Sequence, residues 1–244
     1  MVITQQVVLN EEYRALAFCG GIGRGFLRQK IARELVAKGK KVLMLSNGLQ
    51  HFPGTGEMVV CSHPDLLVKV LHKKFDTHHL LYAANRLEGQ YLQGFPLEKC
   101  AEIQLLLPDV FLLLELGNSM QHCFNPNENS ASWQAAQCWD QLIYLVDIQR
   151  MDSVDFESQH SVDVNLQSPG NSPETMLEYL TDRESGVKEI FEQPWPAMLV
   201  FAGANMPARE NRAITFSREL FAEGICNVVV GDLQTNLIKR LPAI

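Results

Sequence analysis

The chain has 244 residues, a formal net charge of −7 and an apolar fraction of 46%. This length and composition predict a globular protein with a sizeable core, and the acidic balance disfavours nonspecific binding to nucleic acid or to an anionic membrane. No apolar run is long enough to cross a bilayer, because Pro108 interrupts the best candidate. The amino terminus lacks the pattern of a secretory signal, and the six cysteines include no CxxC pair, which favours reduced thiols in a cytoplasmic protein.

The first informative stretch predicts a strand, a glycine turn, a helix and a second strand. Ala15–Phe18 and Val42–Leu45 are short apolar runs of the kind found in buried parallel strands. Between them, Phe26–Lys38 has apolar residues at helical spacing and is followed by Gly39, a typical helix stop. A glycine turn before a helix is a natural anion site, because backbone N–H groups and the helix dipole favour negative charge there. We expect phosphate or nucleotide contacts from Gly20, Gly21, Ile22, Gly23, Arg24, Gly25 and Phe26.

This turn resembles a P-loop whose catalytic residues have changed. A full P-loop reads G-x-x-x-x-G-K-[S/T], and its last three positions fall here on Gly23, Arg24 and Gly25. Arg24 keeps a positive charge, although a planar guanidinium does not replace a compact ammonium. Gly25 has no hydroxyl to offer Mg²⁺. The pattern favours a phosphate-binding scaffold over a hydrolase, and the alternative is an ordinary strand-to-helix turn that binds nothing.

Further along the chain, polar residues follow the second strand. Ser46 and Asn47 stand where a parallel α/β sheet binds its ligands, and residues 46–56 read as a loop. The next predicted elements are, in order, strand Met58–Cys61, helix Leu66–Phe75, strand His78–Ala83, a turn at 86–89 and helix Pro96–Leu107.

The second informative stretch is Asp109–Glu115, an apolar strand that ends in a carboxylate. This pattern predicts a central parallel strand with Glu115 at its ligand end, close to Ser119 in the following turn. In a P-loop enzyme an acid at this position would hold Mg²⁺ or orient water. The alternative is that Glu115 binds no ligand and is only the polar residue at which the chain emerges from the core.

The remainder continues the alternation of strands and helices. We expect a loop or insertion at about residues 152–175 and a helix within 173–190. The last predicted strand, Asn227–Gly231, closes the sheet. The alternation predicts an α/β three-layer sandwich with a mostly parallel sheet, in a single P-loop NTPase-like domain over residues 1–244. The other predicted elements are strand Leu142–Asp147, strand Pro196–Ala202 and helix Arg209–Gly224.

These features together resemble the YqeC-like selenium-dependent hydroxylase accessory proteins. The family's G-x-G-G-K-T-T-L turn and its L-A-x-E-L-x-x-x-G-K-x-V-L helix correspond to residues 20–27 and 31–43. Its D-x-x-L-x-E-A-D-G-S-R stretch falls on residues 109–120, where Glu115 and Ser119 match. The chain departs from that stretch at Gly117, Asn118 and Met120, and Asn205 is the only polar remnant of a later family motif.

The resemblance implies a P-loop fold and a role in maturing selenium-dependent molybdenum hydroxylases. It also implies a molybdenum hydroxylase or its maturation proteins as partners, and a nucleotide or phosphate as ligand. Arg24, Gly25 and Gly117 replace the family's Lys, Thr and Asp. Each replacement removes a group used for phosphate or Mg²⁺ chemistry, so efficient NTP hydrolysis is not expected.

Three functional hypotheses follow. The first is a degenerate P-loop protein that binds an anionic ligand or a partner without turning over nucleotide. The second is a working ATP- or GTP-dependent enzyme in which Arg24 clamps phosphate and Glu115 holds the metal. The third, a Rossmann-type dinucleotide binder, is the weakest, because the glycine spacing is not G-x-G-x-x-G and the second strand lacks a terminal acid.

Overall fold

A computed structural model describes residues 2–21, 23–51, 56–117, 138–148, 180–181, 187–192 and 196–242. The strands are β1 Ala15–Gly20, β2 Val42–Ser46, β3 Leu49–His51, β4 Glu57–Val60, β5 Leu80–Ala84, β6 Arg86–Glu88, β7 Tyr91–Gln93, β8 Phe111–Glu115, β9 Gln141–Asp147, β10 Ala197–Ala202, β11 Val228–Asp232 and β12 Leu237–Leu241. The helices are α1 Ile3–Val7, α2 Arg24–Ala37, α3 Pro64–Lys74, α4 Leu97–Leu106, α5 Val187–Glu192 and α6 Pro207–Ala222.

Nine of the described strands form one sheet in the order β12-β11-β10-β9-β1-β8-β2-β5-β4. Neighbouring strands run parallel throughout, except that β12 is antiparallel to β11. Because β1, β8, β9 and β2 are parallel neighbours, their carboxyl ends meet at the same edge of the sheet. The predicted α/β fold with a mostly parallel sheet is confirmed.

The sheet is covered by helices on both faces, which gives three layers. Leu16 and Phe18 pack with residues of α1 and α2 on one face. Ala15 and Ala17 point the other way, into a core that includes residues of α3 and α4, and α6 packs on the same face through Phe216 and other apolar residues. Alternate strand residues therefore face opposite cores, so the strands in the middle of the sheet are mostly apolar and carry polar residues chiefly at their ends, as at Ser46, Glu115 and Asp147.

Three local predictions were wrong. The stretch predicted as a loop at 46–56 contains β3, and the turn predicted at 86–89 contains β6, and both strands join β7 in a small antiparallel sheet. The predicted closing strand, β11, is not at the edge of the main sheet, because β12 pairs with it. These strands are short or pair with distant segments, so local periodicity does not reveal them.

The predicted insertion at about 152–175 and most of the helix expected within 173–190 lie outside the described residues. None of the described helices combines the length and apolarity needed to cross a bilayer.

Candidate anion site at the glycine turn

The glycine turn leaves the carboxyl end of β1, between β9 and β8. Gly20 has φ +89°, and a Cβ on it would lie 2.3 Å from the carbonyl oxygen of Leu145. That same oxygen accepts a hydrogen bond of 2.7 Å from the Gly21 N–H. Only glycine fits at position 20, because a side chain would be strained by the backbone angle and would collide with β9. The turn is thus tied closely to the adjacent strand.

Helix α2 begins directly after the turn. Its N-cap is Gly23, at φ +104°, and this end of the helix has neither a side-chain cap nor an acidic residue in its first turn. The first N–H groups of an α-helix have no intrahelical acceptor, and the dipole makes this end electropositive. Phe26 is exposed on the first turn, with the Lys30 ammonium 4.7 Å from the centre of its ring. Ile22 lies outside the described residues.

Arg24, the predicted phosphate clamp, reaches across the end of β8. Its Nη1 donates a hydrogen bond of 2.8 Å to the carbonyl oxygen of Leu116, directly after that strand. The guanidinium therefore lies at the carboxyl edge of the sheet, where the sequence placed it. Part of its hydrogen-bonding capacity is already used by the protein's own backbone.

Glu115, the predicted metal or water ligand, forms an ion pair with Arg28. The Arg28 Nη2 lies 2.9 Å from Glu115 Oε2, and the two side chains are 6% and 21% exposed. The Arg28 Nη1 donates a hydrogen bond of 2.6 Å to the carbonyl oxygen of Leu45. Burial lowers the pKa of Arg28 and the Glu115 carboxylate opposes that shift, but a guanidinium stays charged in proteins.

Sequence reasoning missed Arg28, although a signal was present. Residues 24 and 28 are four apart on α2, so they occupy the same face of the helix. Arg28 interrupts the apolar stripe of that helix next to the buried Leu27. A cation within an apolar stripe indicates an ion-pair partner in the core.

The predicted polar ligands Ser46 and Asn47 mainly make contacts within the protein. Ser46 is buried, and its hydroxyl accepts a hydrogen bond of 3.1 Å from the Gly48 N–H. The Asn47 Oδ1 accepts a hydrogen bond of 2.6 Å from the Gly117 N–H. These bonds hold the segment after β2 against the segment after β8. Ser119 lies outside the described residues.

A second acid stands on the other side of the turn. Asp147 ends β9, and its Cβ lies 4.0 Å from the place where a Cβ on Gly21 would be. The formal charges of Arg24 and Arg28 are therefore balanced by those of Glu115 and Asp147. An anion at this turn would be attracted by backbone N–H groups and the helix dipole rather than by a surplus of cations.

No protein-family model matches the chain, and no curated protein matches it. Among solved structures, it is similar to a GTPase from Pyrococcus abyssi crystallised in its apo form, with a TM-score of 0.38, 11% sequence identity and 91% of each chain covered. The described residues form an α/β fold with a mostly parallel sheet. The features that agree with the P-loop resemblance of the sequence are the glycine turn between a central strand and a helix and the acid-tipped strand beside it.

The resemblance of the turn to a P-loop implies Mg²⁺, and the residues present do not fit that ion. Position 25 supplies no hydroxyl, and the Glu115 carboxylate is already paired with Arg28. Within the described ranges, no group of three or more His, Cys, Asp or Glu residues could hold a metal. Hard divalent cations need several oxygen ligands, and of the two acids beside the turn Glu115 is already paired with Arg28, while Asp147 stands on the opposite side.

Proposed function

We propose that this chain is a degenerate P-loop protein that binds an anionic ligand, a phosphate or a nucleotide, at its glycine turn without efficient NTP hydrolysis. The observation that carries the proposal is the ion pair between Arg28 and Glu115, 2.9 Å long, beside a glycine turn with positive φ at Gly20 and Gly23.

Three features support anion binding. The turn lies at the carboxyl edge of a parallel sheet, where α/β proteins bind ligands. The fourteen-residue helix α2 begins there without a side-chain cap. The Arg28 Nε is buried and has no hydrogen-bond partner among the described residues, and a buried donor without a partner indicates a site that is incomplete without a ligand or water.

Two features argue against catalysis. Phosphoryl transfer in P-loop enzymes depends on a lysine at the phosphates and on Mg²⁺ held by a hydroxyl and an acid. Arg24 donates to the Leu116 carbonyl oxygen, and Gly25 supplies no hydroxyl. A working enzyme would have to release Glu115 from Arg28 before the acid could act on metal or water.

Calorimetry with ATP and with GTP, each with and without Mg²⁺, tests this proposal together with an assay of phosphate release. We expect binding without phosphate release. Arg24→Ala should weaken that binding by about tenfold, the value of one charge-assisted hydrogen bond, whereas Arg33→Ala, an exposed position on the same helix, should leave it unchanged. Micromolar, Mg²⁺-dependent binding with steady phosphate release would instead establish the ATP- or GTP-dependent enzyme.

The proposal extends to a partner. The resemblance to YqeC-like proteins in the turn and in helix α2 supports a role in maturing selenium-dependent molybdenum hydroxylases. Deleting the gene in its host should lower the hydroxylase's activity and molybdenum content while leaving the amount of hydroxylase polypeptide unchanged. Wild-type activity in the deletion strain would refute this role without affecting the anion site.

A further inference from the structure

The Arg28 guanidinium reaches the carboxylate oxygen that faces the phosphate-loop position. Glu115 Oε2 lies 2.9 Å from Arg28 Nη2. The same oxygen lies 3.8 Å from where a Cβ on Gly25 would be. In a full P-loop, position 25 would supply the hydroxyl ligand of Mg²⁺. The guanidinium therefore binds the same carboxylate oxygen that lies within 4 Å of the Cβ position of Gly25.

Several contacts anchor this guanidinium. Nη1 donates to the Leu45 carbonyl oxygen at 2.6 Å, and Nη2 also lies 3.5 Å from Gln50 Oε1. Arg28 as a whole is 5% exposed. Its side chain cannot turn into solvent without depriving the Leu45 carbonyl oxygen and the Glu115 carboxylate of their contacts with the guanidinium. A metal that displaced it would leave a buried, unpaired cation, which is strongly unfavourable.

We infer that the Arg28 guanidinium excludes Mg²⁺ from this site by pairing with the Glu115 carboxylate, so that the glycine turn binds its anion without a divalent cation. This inference rests on the proposed function and specifies its ligand class: an oxyanion, such as phosphate or a phosphoanhydride, that is not coordinated to a metal. Arg28 acts as a positioning residue, because it holds Glu115 away from metal and does not itself need to touch the anion.

The first test uses the wild-type protein and inorganic pyrophosphate. Calorimetric titration should show binding in EDTA that excess Mg²⁺ does not strengthen, because Mg²⁺ complexes free pyrophosphate and competes with the protein for it. Binding that is at least about tenfold tighter with Mg²⁺ would overturn this inference and leave the anion site in place. Absence of binding in both buffers would overturn the proposed function, and this inference with it.

The second test measures Mn²⁺ binding by electron paramagnetic resonance. Wild-type protein should leave the signal of free Mn²⁺ unchanged, and the measurement omits pyrophosphate because that anion itself binds Mn²⁺. Arg28→Gln should acquire a Mn²⁺ site because Glu115 is released, and adding Glu115→Gln to that variant should abolish the site. Arg33→Gln removes one charge from an exposed position of α2 and should behave like the wild type.

Two outcomes of the second test would count against the inference. A Mn²⁺ site in the wild type that Glu115→Gln removes would show that the acid is available to metal. A folded Arg28→Gln variant that acquires no Mn²⁺ site would show that Arg28 is not what excludes the ion. If Arg28→Gln fails to fold, the wild-type and Glu115→Gln measurements still decide between metal binding and its exclusion.

Discussion

Replacing Gly20 by alanine should destabilise the protein far more than replacing Gly25. A Cβ at position 20 would lie 2.3 Å from the Leu145 carbonyl oxygen and 2.8 Å from the Leu145 nitrogen. Both atoms belong to the backbone of a central strand and cannot rotate away. The collision can be relieved only by separating the turn from β9, which breaks the hydrogen bond from the Gly21 N–H.

The size of the loss follows from three contributions. Holding alanine at the positive φ of Gly20 costs about 1 kcal/mol, and forcing extra volume into a packed site costs about 1–3 kcal/mol. Losing the hydrogen bond from Gly21 costs about 1 kcal/mol more. We expect the free energy of unfolding to fall by about 4 kcal/mol, a large share of the ~5–15 kcal/mol that holds a domain folded.

Gly25→Ala is the matched control. Position 25 has no positive φ, and a Cβ there would make ordinary contact at 3.8 Å from Glu115 Oε2. Alanine also reduces the conformational entropy of the unfolded chain, so this variant should gain about 0.5 kcal/mol. The two substitutions add the same methyl group within one turn, and their effects should have opposite signs.

Urea unfolding followed by far-ultraviolet circular dichroism measures both variants, with free energies obtained by linear extrapolation. A free energy of unfolding for Gly20→Ala within about 1 kcal/mol of the wild type, at an unchanged m-value, would refute the predicted collision. A larger loss of stability in Gly25→Ala than in Gly20→Ala would also refute it, because the tight approach would then lie on the helix side of the turn.

Two further predictions concern titratable groups. Burial raises the pKa of the Cys19 thiol to about 12. Iodoacetamide at mildly alkaline pH should therefore label the peptide that contains the exposed Cys226 and spare the peptide that contains Cys19. Rapid labelling of Cys19 in the folded protein would contradict this prediction. Burial of Asp232 acts to raise its pKa, but hydrogen bonds from Gln234 and Thr235 outweigh it and hold the pKa below the ordinary 3.8. A lowered pKa stabilises the fold above the unfolded value, so Asp232→Asn should be less stable than the wild type at neutral pH, and this difference should shrink as the pH falls below about 4. A difference that is constant from neutral pH down to about 2 would show that the aspartate charge is not involved.

The central elements could be predicted because their signals are local. Ala15–Phe18 and Val42–Leu45 are apolar at every position, as strands covered on both faces must be. The glycines and the periodic helix that follow the first strand predict the turn and α2. Glu115 at the end of an apolar run predicts an acid at the carboxyl edge, and the structure places it beside the turn.

Other features depend on segments that are distant in sequence. β3 pairs with β7 about forty residues away, and a three-residue strand has no periodicity of its own. Arg28 and Glu115 are separated by most of the amino-terminal half of the chain, and only the adjacency of α2, β2 and β8 brings their charges to 2.9 Å.

The amino-acid sequence by itself determined the central strands and helices, the glycine turn and the absence of a lysine at position 24 and a hydroxyl at position 25, because each of these is a matter of residue type and short-range spacing. Tertiary structure alone decided that Gly20 is the glycine in close contact with the neighbouring strand β9, and that the Glu115 carboxylate of β8 forms an ion pair with Arg28. Both depend on distances across parallel strands, which no local pattern encodes.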